Sequence, residues 1–124
     1  MQAQDSHIQA SAEDYLETIL LLSRENGSIR SKNIVEEMGF SKPSVSVAMK
    51  KLREKDLIHM DEDGFITLTG KGNELANQVY DRHSTLYNWL IRIGVSEATA
   101  AADACRMEHI LSEETIQKIK NQDI

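Results

Sequence analysis

The first stretch of the chain carries apolar residues at intervals of three and four positions. They are Ile8, Ala12, Tyr15, Ile19 and Leu22. This spacing places them on one face of a helix and predicts an amphipathic first helix. The helix is expected to end near Glu25, because the Asn26-Gly27 pair that follows favours a turn.

Two shorter helices are predicted next. Ser31 is a suitable N-terminal cap for the first of them, and Gly39 suits its C-terminal end. Ser41 is a suitable cap for the second, with Pro43 in the first turn, where the missing N–H costs little. The two predicted helices span residues 32–38 and 42–55.

A short β-hairpin is predicted after the third helix. Residues 57–60 and 65–68 are β-prone, and an acidic segment ending in Asp63-Gly64 separates them. An Asp-Gly pair between two such runs is typical of a hairpin turn. The order helix, short helix, turn, helix and hairpin indicates a winged helix-turn-helix.

The remaining sequence is predicted to be helical. Gly94 would end a long fourth helix, and Ser96 and Ser112 are suitable caps for two more. These helices span about residues 70–93, 97–110 and 113–121. The apolar face of the long helix consists of Leu75, Val79, His83, Leu86, Leu90 and Ile93. The fold class is therefore mostly α with a small hairpin, in two domains, a winged helix domain (residues 1–70) and a helical domain (residues 71–124).

The composition is that of an ordinary globular protein, with 40% hydrophobic and 27% charged residues among 124. No apolar run reaches the roughly 20 residues that cross a bilayer, and no signal-peptide pattern opens the chain. A single cysteine, Cys105, excludes an intramolecular disulfide and fits a reducing compartment. We therefore expect a cytoplasmic protein with no membrane partner.

The net charge of −6 argues at first against nucleic acid, but the charge is segregated. Residues 42–53 contain four basic side chains and no acidic one, whereas residues 1–25 contain five acids and one arginine. A basic element between acidic flanks is compatible with DNA binding by an acidic protein. On charge alone, a solvated helix face is an equally good explanation.

The third helix is the candidate DNA-reading element, because the N-terminal part of such a helix reaches base edges in the major groove. Its lysines are suited to phosphates, which supply affinity independent of sequence. The acidic tip of the hairpin argues against deep contact between the wing and the DNA backbone. The candidate DNA-binding residues are Arg30, Ser31, Lys32, Ser41, Lys42, Pro43, Ser44, Ser46, Lys50 and Lys51.

Side chains that commonly bind metals occur at three places in the predicted helices. Two carboxylates stand three positions apart on the first helix, an imidazole interrupts the apolar face of the long helix, and a thiol, a carboxylate and an imidazole share one side of the fifth helix. Each group has a plain structural alternative, namely a solvated acidic face, a hydrogen-bonded core histidine or a small buried thiol. Together they can surround one cation or two. The residues are Asp14, Glu17, His83, Cys105, Glu108 and His109.

The ligand types leave the identity of the metal open. Carboxylates suit Mn²⁺, whereas a thiolate shifts preference toward softer ions such as Fe²⁺, Co²⁺ or Zn²⁺. No metalloprotease, paired-cysteine, nucleophile-elbow or phosphate-loop motif occurs in the sequence. A metalloenzyme would also need an open coordination position, a general base and a substrate cleft. We therefore do not expect an enzyme.

Several segments occur in an order and spacing that match a known family. They are residues 13–19 (EDYLETI), residues 40–46 (FSKPSVS), Leu68-Thr69 with Gly72, Arg82-His83, and residues 103–112 (DACRMEHILS). In these segments, which span nearly the whole chain, the sequence resembles the diphtheria-toxin-repressor and manganese-transport-regulator family of metal-dependent bacterial transcription factors.

The resemblance implies a winged helix domain, a helical dimerisation domain, a metal site at their junction and a homodimer on palindromic double-stranded DNA. The six candidate ligands fall on the ligand positions of the manganese branch. Cys105 departs from that branch, which usually has Glu there; the iron branch has Cys there but usually Met at the position of Asp14. The ancillary metal site of the iron branch needs an acid and a histidine where this chain has Tyr87 and Ala101.

The function that the resemblance implies is repression of metal-uptake genes when Mn²⁺ or Fe²⁺ is bound, with Co²⁺ or Zn²⁺ as possible substitutes in vitro. The alternative is a winged helix regulator that does not respond to metal. We expect the long helix and the two C-terminal helices to form the dimer interface, using side chains that can also, in part or instead, close the core of one subunit. These side chains are Leu86, Trp89, Leu90 and Ile93.

Overall fold

The computed structural model describes the backbone of residues 2–122 and the side chains of residues 12–122. Ile8, which was assigned to the apolar face of the first helix, lies outside the described side chains. The helices and strands are α1 (Gln2–Asn26), α2 (Ser31–Met38), α3 (Lys42–Glu54), β1 (Ile58–Met60), β2 (Ile66–Leu68), α4 (Gly70–Arg92), α5 (Glu97–Met107) and α6 (Glu113–Lys120). The prediction of a mostly helical fold with one hairpin is confirmed.

The described chain forms two compact units, and the boundary between them lies between Asn77 and Gln78, inside α4. The predicted domain boundary after Gly70 lies seven residues earlier and stays a prediction. Within residues 2–122, no helix combines the length and the hydrophobicity needed to cross a bilayer.

The N-terminal unit is built around the apolar face of α1. Leu16 and Ile19 of that helix are completely buried, and they share a core with Ile34 of α2, Val45 of α3 and Ile66 of β2. Burial of large aliphatic side chains contributes roughly 1.5–3 kcal/mol each. This shared core fixes α2 and α3 against α1 and leaves the other side of α3 exposed.

The two short helices begin and end almost as predicted. Ser41 caps α3, where its hydroxyl accepts a hydrogen bond from the Ser44 N–H at 3.2 Å. Gly39 ends α2 with a left-handed φ of 74°, a conformation that glycine adopts without strain. The predicted Ser31 cap is wrong by one position: Arg30 is the cap residue, and its N–H donates to Asn33 Oδ1 at 2.8 Å.

The predicted hairpin is present, with β1 and β2 antiparallel and Met60 opposite Ile66. Its turn is held by Asp61, whose Oδ1 accepts hydrogen bonds from the N–H groups of Asp63 and Phe65, each at 2.9 Å. The wing tip is therefore a side-chain-stabilised turn whose acidic side chains are exposed.

The start of α4 is packed tightly against the chain that enters the hairpin. The Thr69 hydroxyl donates to the Asp56 carbonyl at 2.7 Å and accepts from the Gly72 N–H at 3.0 Å. A Cβ at Gly72 would overlap the carbonyl oxygen of Leu57. Glycine is required there because two backbones approach closely.

The C-terminal unit has its own small core. Leu86 and Leu90 of α4 pack with Ala100 and Ala104 of α5, and all four are buried. Leu86 and Leu90 therefore take part in the core of a single subunit, and their use in a dimer interface stays a prediction. Ile93 lies just beyond α4 and is 56% exposed.

The fifth helix ends earlier than predicted. Helix α5 stops at Met107, whereas the sequence predicted helix to about Ile110. The backbone hydrogen-bond pattern changes here, because the N–H groups of His109 and Ile110 bond to carbonyls three residues back instead of four. Glu108 and His109 therefore lie in the turn that leads from α5 to α6.

Candidate metal centre and nucleic-acid interface

Glu108 is the buried centre of the candidate metal site in the C-terminal unit. Its side chain is 1% exposed, and its Oε1 lies 2.8 Å from Nδ1 of His83 on α4. If His83 is neutral, Nδ1–H donates to Glu108 and the lone pair is on Nε2. A carboxylate that holds an imidazole in this way orients it for metal binding.

The second oxygen of Glu108 is the unusual atom of this unit. Oε2 is buried and has no hydrogen-bond partner among the described residues, and Nε2 of His109 is 3.9 Å away. A buried polar atom left without a partner costs about 1–3 kcal/mol, and a charged group costs more. A divalent cation next to this oxygen would remove that cost, so the donor set fits a metal.

The turn that carries Glu108 is held by an arginine. Nη2 of Arg82 donates to the carbonyl oxygens of Glu108 and Leu111 at 2.5 and 3.1 Å, and Nη1 lies 3.5 Å from Glu113. Arg82 therefore satisfies carbonyls that the end of α5 leaves free. Sequence analysis gave Arg82 no role, because its partners lie 26 to 31 positions away in the sequence.

The other three candidate ligands are on α1 and α5, and their side chains differ in exposure. Asp14 and Glu17 stand one turn apart on α1, in the N-terminal unit, and both are partly buried. Cys105 lies on α5 in the C-terminal unit and is exposed. Within the C-terminal unit, the structure thus brings His83, Glu108 and His109 together.

The outer side of α3 presents most of the candidate DNA-binding residues. Lys42, Pro43, Ser46, Lys50 and Lys51 are all exposed. The Ser41 hydroxyl is used within the helix, because it donates to the Ser44 hydroxyl at 2.9 Å besides capping α3. The exposed side of α3 is therefore basic toward its C-terminal end.

The start of α2 offers a second set of candidate contacts. Lys32 is exposed in the first turn of α2 and Ser31 is partly buried. The Arg30 guanidinium lies over the Phe65 ring, 4.2 Å from its centroid, which links the start of α2 to the wing.

An open depression of about 490 Å³ lies between α1 and α3. Tyr15 and Phe40 form part of its floor, with their rings edge to face at 5.9 Å. Burial raises the pKa of Tyr15 above 10.0, so its phenol is neutral at physiological pH. Val47, on the α3 side of the depression, is 54% exposed, and sequence analysis gave it no role.

Comparison with known protein families finds a match for each half of the chain. Residues 7–65 match the family model of the iron dependent repressor N-terminal DNA binding domain. Residues 69–122 match that of the iron dependent repressor metal binding and dimerisation domain. The chain belongs to the iron-dependent repressor family.

Individual relatives support the same assignment. The chain is 35% identical to the transcriptional regulator MntR of Escherichia coli O157:H7 over 96% of this chain and 77% of that protein. Among solved structures, that of the manganese regulator SloR has a TM-score of 0.77 and 32% identity over 87% of this chain. A manganese-dependent transcriptional repressor in complex with manganese has a TM-score of 0.78 and 28% identity, also over 87% of this chain. The chain spans about half the length of these two solved structures.

Family membership confirms the resemblance that the sequence motifs indicated. It gives the chain a DNA-binding domain and a dimerisation domain, so DNA and a second copy of the chain are its partners. The individual ligands and DNA contacts stay predictions. At the position where the iron branch needs an acid, Tyr87 stacks on His83, with 6.5 Å between ring centroids. The adjoining cavity of about 340 Å³ contains no carboxylate, so its lining does not favour an ancillary metal site.

Proposed function

We propose that the chain is a DNA-binding repressor of metal-uptake genes that acts as a homodimer on a palindromic operator when Mn²⁺ or Fe²⁺ is bound. The observation that carries the proposal is the buried carboxylate of Glu108. One of its oxygens is hydrogen-bonded to His83, and the other has no hydrogen-bond partner among the described residues. A buried carboxylate is costly unless positive charge balances it, and a bound divalent cation supplies that charge. The names of the relatives, a manganese regulator and a manganese-dependent repressor, support the same function.

We infer that His83, Glu108 and His109 form the part of the metal site contributed by the C-terminal unit. The family resemblance supplies the remaining proposed ligands, Asp14, Glu17 and Cys105. In the bound state a divalent cation supplies positive charge that offsets the buried carboxylate. In this proposal the carboxylates of α1 bind the same cation as Glu108. Without the cation their like charges repel, so metal binding controls the position of the DNA-binding unit.

The proposal has a direct test in DNA affinity measured against metal. A duplex selected by the wild-type chain from a random pool in the presence of Mn²⁺ serves as probe. Affinity is then measured by fluorescence anisotropy after chelation and after anaerobic addition of Mn²⁺, Fe²⁺, Co²⁺ or Zn²⁺. We expect wild-type affinity to rise at least about tenfold with the physiological metal, within the usual range of allosteric coupling.

A matched pair of histidine variants separates the site from the rest of the chain. His109→Ala should lose the metal response, because it removes an imidazole next to Glu108. His59→Ala, which removes an exposed imidazole from β1, should keep it. Equal DNA affinity of the wild type with and without metal would leave only the alternative, a winged helix regulator without metal control.

A further inference from the structure

We propose that Val47 determines part of the operator sequence by contacting the C5-methyl group of a thymine in the major groove. The inference rests on the DNA binding proposed above. It adds a residue that reads a base by apolar contact, which a search for hydrogen-bonding side chains does not find.

The first observation is the exposure of Val47. Among the described side chains, four large hydrophobic residues are strongly exposed, and only Val47 belongs to the N-terminal unit; the others are Tyr80, Ile93 and Ile110. The neighbouring valine, Val45, is completely buried. Val47 therefore exposes about half of an apolar side chain on α3, the helix that we propose reads DNA.

The second observation is the position of Val47 within α3. It stands one turn after Pro43 and one turn before Lys51, so the three share one side of the helix. Pro43 and Val47 have no side-chain hydrogen-bond donor or acceptor. These two residues can therefore read bases only through apolar contact, and the apolar feature of the major groove is the thymine methyl group.

The third observation is the charge around Val47. The depression beside it contains Lys51 and Lys55 and no acidic side chain. The lysines can contact phosphates of the DNA backbone while the apolar patch next to them contacts the methyl group of a base. An apolar partner protein would gain nothing from these charges, so the surroundings favour DNA.

The test removes the methyl group from the DNA and the side chain from the protein in turn. The duplex selected by the wild-type chain is resynthesised with each thymine replaced, one at a time, by deoxyuridine, which lacks only the C5-methyl group. Loss of one buried methyl group is expected to lower affinity about fourfold per half-site. At least one thymine should show this loss with the wild type.

Val47→Ala should then bind the thymine and deoxyuridine duplexes equally at that position. Glu54→Ala, which changes an exposed residue at the C-terminal end of α3 that is not among the candidate DNA-binding residues, should keep the fourfold discrimination. A wild type that tolerates every replacement, or a Val47→Ala variant that still discriminates, overturns the proposal while leaving metal-dependent DNA binding intact. Val47→Ala replaces an exposed side chain by a residue of higher helix propensity, so this variant is expected to fold and the comparison can be made. A chain that selects no duplex refutes the proposed function and this inference with it.

Discussion

Replacing Glu108 by glutamine should change stability in opposite directions with and without metal. The carboxylate is 1% exposed and its Oε2 lacks a hydrogen-bond partner among the described residues. Glutamine has nearly the same shape, and its Oε1 can still accept from Nδ1–H of His83. The substitution removes the buried charge but leaves a buried amide NH₂ group without an acceptor at the place of Oε2, so we expect the chelated variant to gain only about 1 kcal/mol in free energy of unfolding.

In the presence of Mn²⁺ the order should reverse. At a metal concentration 100 times the dissociation constant of the wild type, binding stabilises the wild-type chain by about 2.7 kcal/mol. A neutral amide is a poorer ligand than a carboxylate, so the Glu108→Gln variant should gain little. The wild type should then be the more stable protein by about 1.7 kcal/mol, the difference between these two effects.

Urea unfolding followed by tryptophan fluorescence suits this measurement, because Trp89 is the single tryptophan and lies on α4 in the C-terminal unit. The control is Glu114→Gln, which neutralises an exposed carboxylate in the first turn of α6 and should change stability by no more than about 0.5 kcal/mol in either condition. A chelated Glu108→Gln variant less stable than the wild type, or one that gains as much from Mn²⁺, would contradict the assignment of Glu108.

Two further predictions test the N-terminal unit. Gly72→Ala should lower the free energy of unfolding by about 2–3 kcal/mol, because its Cβ would overlap the Leu57 carbonyl. The control Gly70→Ala has open space around the new Cβ and should be nearly neutral. Equal thermal unfolding of the two variants would show that the two backbones can separate. Lys50→Ala should weaken binding to all duplexes and reduce the slope of log affinity against log salt by about 0.9 per lost phosphate contact. Lys118→Ala, which removes an exposed lysine from α6, should leave that slope unchanged; an unaltered slope for Lys50→Ala would place Lys50 away from the DNA.

Local signals in the sequence were sufficient for most of the helix ends. Ser41, Pro43 and Gly39 act within their own turns, so residue type alone predicts where α2 ends and α3 begins. The Ser31 cap failed for a similarly local reason. Asn33 satisfies the cap N–H of Arg30 from inside the helix, which moves the boundary by one residue.

Burial in the candidate site could not be predicted in the same way. The sequence showed that metal-binding side chains share a helical side, but it did not show that Glu108 would be the buried one and Cys105 exposed. That outcome depends on Arg82, which holds the turn after α5 through contacts with distant residues. Periodicity contains no information about such long-range hydrogen bonds.

The end of α5 carries two of the ligand side chains. The backbone at Glu108 stays helical, with φ −61° and ψ −23° and its N–H bonded to the Ala104 carbonyl, so Glu108 and His109 follow the helical spacing that the sequence predicted. In the turn observed here, His109 Nε2 comes within 3.9 Å of the Glu108 oxygen that has no hydrogen-bond partner among the described residues. His83 approaches the other oxygen from α4, so one buried carboxylate lies between two imidazoles. Helical spacing therefore accounts for Glu108 and His109, whereas the packing of α4 against α5, about which periodicity contains no information, adds His83 as the third ligand side chain within one unit.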